Sequence, residues 1–368
     1  GQRARVGVSP SELLNGAKLV LTVGDRVIAE RAFDAAPGNA FVADIALPEG
    51  SAESDLLLRV LSNDGRELIR YRAEVRVEGI KMAPATEPLP PAEVQSNDEL
   101  YITGLHLEQY RHATRSPESY WEEALRRDPY DIRCNNALGL VYLRRGLFEK
   151  AEQHFRSTIA RQTERNPNPY DGEPYYNLGV LLKLQGRLDE AYAAFYKAVW
   201  NYAWKSAGYY ALATIDCARG DFKTALQHLD HSLLTNADSL KARGLKAATL
   251  RRLGRAREAF EVVHQTIQLD KLDFWSRNEL SLLSGELRDE EEFFALMRNE
   301  AQTCLDLAFD YADAGLWEEA FDLLNRFIRR AGNSPMHPMI LYAAGYCSDK
   351  PGAAQVALAY YRRAAAAS

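Results

Sequence analysis

Leu178-Gly-Val-Leu-Leu-Lys-Leu-Gln-Gly186-Arg-Leu-Asp-Glu-Ala191-Tyr-Ala-Ala-Phe195 is the stretch that decides the fold. Apolar residues recur at helical spacing on both sides of Gly186, so it reads as two short helices broken by a glycine turn. The punctuation then repeats. Gly186, Gly220 and Gly254 stand 34 residues apart, and Ala191, Ala225 and Ala259 keep the same interval. A fixed period of that size marks a unit too small to bury its own apolar face, which must stack on copies of itself.

The register extends outward. Small or apolar residues at the eighth position of each unit fall at Leu105, Gly139, Gly179, Ala213 and Ala247, with steps of 34, 40, 34 and 34. One unit therefore carries six extra residues. Leu138-Gly139-x-x-Tyr142, Gly146, Ala151 and Phe155 read as one complete hairpin, and Leu178-Gly179-x-x-Leu182, Gly186, Ala191 and Phe195 as its neighbour. Small residues let paired helices approach closely, and large ones fill the gap between hairpins. These residues resemble the tetratricopeptide (TPR) repeat. Further units are Tyr311, Gly315, Ala320 and Leu324, then Gly345, Gly352, Ala357 and Tyr361. Phe274–Gly285 with Asp289–Met297 reads as a degenerate hairpin, and Asp98–Thr114 with Pro117–Arg127 as the first. The expected fold is mainly α: a solenoid of about seven or eight hairpins over 98–368, by the TPR resemblance a right-handed superhelix.

The first 80 residues differ in kind. Lys18–Val23, Val27–Phe33, Ala40–Leu47, Leu56–Leu61 and Glu67–Val77 are short β-type runs, and Asn63-Asp64-Gly65 is a strong hairpin turn. Residues 1–80 are expected to form a small antiparallel β-sandwich, immunoglobulin-like. Residues 81–97, rich in proline, read as a semi-rigid linker. The chain has no initiator Met, and it stops straight after a hairpin without a polar capping helix, so we expect a piece of a larger protein.

Composition argues against several classes of partner. The chain is 46% hydrophobic and 26% charged with a net charge of −6, which suits neither nucleic acid nor an anionic membrane. No apolar run approaches the roughly 18 residues that span a bilayer. Cys134, Cys217, Cys304 and Cys347 lack metal-ligand spacing and read as buried free thiols, in keeping with a reducing cytoplasm. No cofactor and no metal site is expected. His228-Leu-Asp-His231 places two histidines on one helix face, but by repeat position they read as solvated, on the outer side of a second helix.

Three stretches are more particular than the repeat: Leu107-Glu-Gln-Tyr-Arg-His-Ala-Thr-Arg-Ser-Pro-Glu118, Tyr120-Trp-Glu-Glu-Ala-Leu-Arg-Arg-Asp-Pro129, and Arg165-Asn-Pro-Asn-Pro-Tyr-Asp-Gly-Glu-Pro-Tyr-Tyr-Asn-Leu-Gly179. They resemble the TPR-bearing C-terminal region of large bacterial proteins that carry the domain of unknown function 5107. That resemblance implies a parent with a β-rich N-terminal domain similar to the mutarotase-like superfamily. It brings no activity.

In TPR arrays the first helix of each hairpin lines a concave groove. Reading those positions places Asn136, Arg144, Glu173, Tyr176, Lys183 and Tyr210 on one surface, with Asn177 beside them. Tyrosines among amide and charged groups suit a peptide or a sugar, although Tyr176 and Tyr210 also suit packing between hairpins. The inserted stretch adds Tyr170 and Asp171 at an enlarged inter-repeat loop. Asp171 and Glu173 can be read as an acid/base pair or, more plainly, as helix caps. Tyr192, Tyr196, Trp200, Tyr202, Trp204 and Tyr209 form a dense aromatic patch, for core packing or a saccharide shelf. Capture of chaperone C-termini fails, because only Asn177 of five required positions matches while Asn136, Leu140, Ala207 and Ala211 occupy the rest.

The functional expectation is a non-enzymatic interaction scaffold that holds a peptide or partner domain, the parent's own N-terminal domain among them. An accessory module contacting carbohydrate is the alternative, and a hydrolase using Asp171 and Glu173 a weaker one.

Overall fold

The structure, a computed structural model, describes residues 2–74, 86–168, 170–332 and 336–367. Six strands come first: β1 (Arg3–Val8), β2 (Leu14–Val23), β3 (Arg26–Ala35), β4 (Phe41–Ala46), β5 (Leu56–Leu61) and β6 (Glu67–Arg72). β1 pairs antiparallel with β4, and the others form an antiparallel sheet in the order β3-β2-β5-β6. Alternation along β2 turns Ala17, Leu19 and Leu21 inward, where they meet Val6, Phe33, Ile45 and Val60. The expected turn joins β5 to β6, with Gly65 at φ 87° and the Asp64 carboxylate accepting from the Arg66 amide. Of the β-run expected to reach Val77, residues 75–77 lie outside the described residues, as do Lys81–Ala85 of the linker. Before the first helix, Glu87 pairs with Arg115, and the Leu89 carbonyl accepts from the Tyr120 hydroxyl at 2.8 Å.

Sixteen α-helices follow among the described residues, as eight hairpins. The first two are α1 (Asn97–Gln109) with α2 (Glu118–Arg127), and α3 (Ile132–Arg144) with α4 (Phe148–Thr163). Next come α5 (Glu173–Leu184) with α6 (Leu188–Ala198), and α7 (Lys205–Ala218) with α8 (Phe222–Thr235). Then α9 (Leu240–Arg252) pairs with α10 (Ala256–Leu269), and α11 (Phe274–Ser284) with α12 (Leu287–Met297). The last are α13 (Ala301–Asp313) with α14 (Trp317–Ala331), and α15 (Pro338–Asp349) with α16 (Ala354–Ala367). Polar side chains start several first helices: Asp131 accepts from the amides of Arg133 and Cys134, Ser239 from Ala242 and Asp273 from Ser276.

The repeated glycines have two different jobs. Gly186, Gly220, Gly254 and Gly315 end first helices in the left-handed region, at φ 71–77°. Gly139, Gly179 and Gly345 lie inside first helices, where a β-carbon would sit 2.5, 2.6 and 2.7 Å from the rings of Phe155, Phe195 and Tyr361. In each of these hairpins the missing side chain on one helix is the seat for an aromatic ring on the next.

The array does not run on as a simple coil. Arg298 and Asn299 are consecutive non-glycine residues at positive φ, 55° and 58°, and they turn the chain sharply after α12. α13 and α14 then pack onto the concave side of α7, α9 and α11. Tyr311, Leu307, Ala308 and Leu316 share one buried core with Ala213, Cys217, Leu245, Ala248 and Trp275. Ion pairs stitch the same seam: Lys241 to Asp310 at 2.7 Å, Arg251 to Glu319 at 3.3 Å and Arg252 to Glu318 at 3.1 Å. At its heart Glu279, fully buried, accepts from Arg251 and from the Tyr311 hydroxyl, both at 2.7 Å. The loosened register near Phe274–Met297 thus coincides with a hairpin followed by a change of direction.

Candidate functional site

What remains open of the concave side is a cleft of about 990 Å3 between the third and fourth hairpins and the last two. Tyr176, Val180, Lys183 and Leu184 of α5 form one wall, and Tyr210, Thr214 and Ala218 of α7 the floor. The opposite wall comes from Phe309, Asp313, Trp317, Tyr342, Tyr346 and Lys350. Gly315 brings the two walls together: a β-carbon there would lie 2.5 Å from the Ala218 Cα. Lys183 bridges the walls, donating to Asp313 and to the Thr214 hydroxyl, both at 2.8 Å.

The cleft is aromatic with polar tips. Burial raises the Tyr176 phenol pKa, with Asp313 adding to it. Burial raises that of Tyr210 further, with Asp310 and Asp313 close by. Both hydroxyls stay protonated and so can donate a hydrogen bond. Phe309 is 40% exposed and Tyr342 48%, large for aromatic rings lining a concavity. Lys350 lies 5.0 Å from the Tyr346 ring centre.

Of the residues expected at the groove, Tyr176, Lys183 and Tyr210 come together here. Asn136, Glu173 and Asn177 form a separate cluster between α3 and α5. Asn136 donates to the Glu173 carboxylate at 2.9 Å and accepts from Asn177 at 3.0 Å. Arg144 stands apart, paired with Glu108 at the end of α1.

In the inserted loop, Tyr170 and Asp171 meet the connection between α6 and α7. Asn201 donates to the Tyr170 carbonyl at 3.0 Å, Gln162 to the Asp171 carbonyl at 2.7 Å, and Trp204 to the Asp171 carboxylate at 3.0 Å. Asp171 also accepts from the Glu173 amide at 3.0 Å. The carboxylates of Asp171 and Glu173 are thus both engaged in local hydrogen bonds, the first of them at the helix start. Tyr170 itself is 88% exposed. It shares this edge of the array with Trp200 and Tyr202, which Lys197 and Lys205 approach at 3.7 and 5.5 Å from the ring centres.

His228 departs from expectation. It is buried, not solvated: one ring nitrogen meets Asp216 and the other the Tyr196 hydroxyl, each at 2.7 Å. Tyr209 stacks on it at 5.7 Å and on His231 at 5.0 Å. The repeat position puts the residue on an outer face, but Tyr196 of the preceding hairpin and Tyr209 of its own cover that face.

The six wall residues from the last two hairpins were outside the expected set, because no local pattern places α13–α15 opposite α5. A signal was present in charge. The concave positions hold Lys183, Lys241, Arg251 and Arg252, while α13 and α14 hold Asp310, Asp313, Glu318 and Glu319 at their partners' sites. All four cysteines are buried and unpaired. Among the described residues no group of His, Cys, Asp and Glu is arranged to hold a metal ion, and no helix is long and apolar enough to cross a membrane.

Two families match parts of the chain. Residues 1–71 match one described as "YphG-like protein, second domain". Solved TPR structures are similar over longer spans at low identity. A tetratricopeptide repeat protein from Parabacteroides merdae shares 15% identity, covering 74% of this chain and 93% of its own, with a TM-score of 0.47. PilF of Pseudomonas aeruginosa shares 20% over 54% of this chain and 88% of its own, also at 0.47. YrrB, described as a TPR protein with an unusual peptide-binding site, shares 15% over 48% of this chain and 88% of its own, at 0.40. Residues 130–199 match the family described as "Tetratricopeptide repeat", so this chain contains a TPR region.

Proposed function

We propose that the helical array is a protein-interaction scaffold and that the cleft between α5, α7, α13 and α15 holds a peptide or a loop of a partner domain. The carrying observation is the set of large aromatic side chains left open in a concavity, Phe309 and Tyr342 facing Tyr176 and Tyr210. Protonated phenols beside apolar ring faces suit backbone carbonyls flanked by apolar side chains. The parent's own N-terminal domain, expected from the resemblance to proteins with the domain of unknown function 5107, is one such partner. The four buried thiols fit a reducing cytoplasm. Asp171 and Glu173 have no role in this reading beyond shaping the loop.

The test is selection of binders from a displayed random-peptide library on the immobilised chain, repeated with Leu184→Glu and Tyr342→Ala. Sequences that lose binding to both variants support the cleft. Binders indifferent to both would sink it.

A second reading, an accessory module contacting carbohydrate, rests on the exposed edge of Tyr170, Trp200 and Tyr202. A glycan array probed with the chain and with Trp200→Ala checks it: no glycan signal, or a signal that the variant keeps, removes it.

A further inference from the structure

We propose that the cleft takes an acidic, proline-containing segment in extended conformation, which deepens the peptide-scaffold reading and rests on it. Proline rings pack on flat aromatic faces, and a proline-rich strand is already extended, so ordering it costs little entropy. Phe309 and Tyr342 offer such faces on one wall, with Tyr176 and Tyr210 across from them.

Hydrogen bonding points the same way. A proline-rich strand carries carbonyl acceptors but few amide donors. A cleft suited to it should offer donors and few acceptors, and this one does. Tyr176 and Tyr210 line it, and neither hydroxyl has a hydrogen-bond partner among the described residues. The lining's one carboxylate, Asp313, is already taken by Lys183. Charge supplies the acidic preference. The lining has two cations, Lys183 and Lys350, against the single anion Asp313, so one positive charge is left over. Lys350 carries it, exposed at the end of α15 with no ion pair among the described residues.

The chain already holds an acidic proline-rich segment elsewhere by related chemistry, irregular over 86–90 and turning as a 3-10 helix at Pro91–Glu93. The stretch Thr86-Glu-Pro-Leu-Pro-Pro-Ala-Glu93 lies against α2. There the Tyr120 hydroxyl donates to the Leu89 carbonyl, Arg127 donates to the carbonyls of Val94 and Pro91, and Arg115 pairs with Glu87. A phenol, a cationic donor and an acid-seeking cation thus grip an acidic proline-rich segment at α2. The cleft repeats that set with no strand from the described residues in it.

The experiment uses fluorescence anisotropy with the full chain and three labelled twelve-residue peptides. One alternates Glu-Pro-Pro-Leu, the second has Lys for Glu, and the third has Ala for Pro. We expect the first to bind at least tenfold more tightly than either other. Lys350→Glu should weaken it tenfold and favour the Lys peptide, while Tyr342→Ala weakens all three. Circular dichroism of each variant must match the parent chain. Equal binding of the Pro and Ala peptides, or no effect of Lys350→Glu, would overturn the proposal. If selected library peptides depend on the cleft but are basic or poor in proline, the peptide-scaffold reading stands and this inference falls. If no peptide depends on the cleft, both fall.

Discussion

Gly315→Ala should be far more damaging than the same change at an equivalent turn, because this glycine is where the array meets itself. Two costs add. At φ 71° any β-carbon sits in the left-handed region, at about 1–2 kcal/mol. The added methyl would also lie 2.5 Å from the Cα and 2.6 Å from the Cβ of Ala218, and a backbone cannot step aside as a side-chain tip can. Overpacking of that kind costs about 1–3 kcal/mol. Gly254→Ala is the internal control, with φ 74° and nothing within 4 Å of the new carbon, so it pays only the first cost. Urea unfolding should show Gly315→Ala about 1–3 kcal/mol less stable than Gly254→Ala, by the overpacking term alone. Small-angle scattering should show a larger radius of gyration for Gly315→Ala only, as the seam between α7 and α13 opens. Equal losses in the two variants with unchanged scattering would refute the reasoning.

Gly179→Ala should destabilise by about 1–3 kcal/mol through Phe195, and adding Phe195→Leu should recover part of that loss in the same urea assay. Glu279→Gln leaves Arg251 with Glu319, at 3.3 Å, as its remaining carboxylate partner, with an expected loss of about 1.5–3 kcal/mol in chemical denaturation. Burial would raise the Asp131 carboxyl pKa, but hydrogen bonds from the Cys134 amide and Arg133 outweigh it and the pKa is lowered. Its contribution is then present above the ordinary carboxylate range and lost as pH falls through the depressed value, so Asp131→Asn should flatten part of the acid limb of a stability–pH profile. Burial pushes the Cys217 and Cys347 thiols up to about 11 and Cys304 to about 12. A thiol reagent at pH 8 should therefore react slowly with the native chain and promptly in denaturant, followed by absorbance.

The sequence carried the hairpins well because their chemistry is local. A left-handed turn needs Gly186 or Gly254 whatever surrounds it, and Gly179 with Phe195 is a pair within one unit. Tyr176, Lys183 and Tyr210 were placed by the same register. Curvature was not legible. It depends on contacts such as Lys183 with Asp313, 130 residues apart, and on the unusual backbone at Arg298 and Asn299, which no composition rule marks. His228 was misplaced for a related reason: its position on the repeat was right, but the cover came from Tyr196 and Tyr209 in other helices.

Solenoids are usually thermodynamic chains, each hairpin leaning on its two neighbours, so that ends fray and units can be added or deleted nearly independently. The seam from α13 and α14 to α7 and α9 breaks that rule for this array. Hairpins separated by two others in sequence share one core, so the middle of the molecule should melt with its C-terminal part as one cooperative block. Deleting an internal repeat would misalign the seam instead of merely shortening the array. Between α7 and α14 the number of repeats is therefore constrained by the seam.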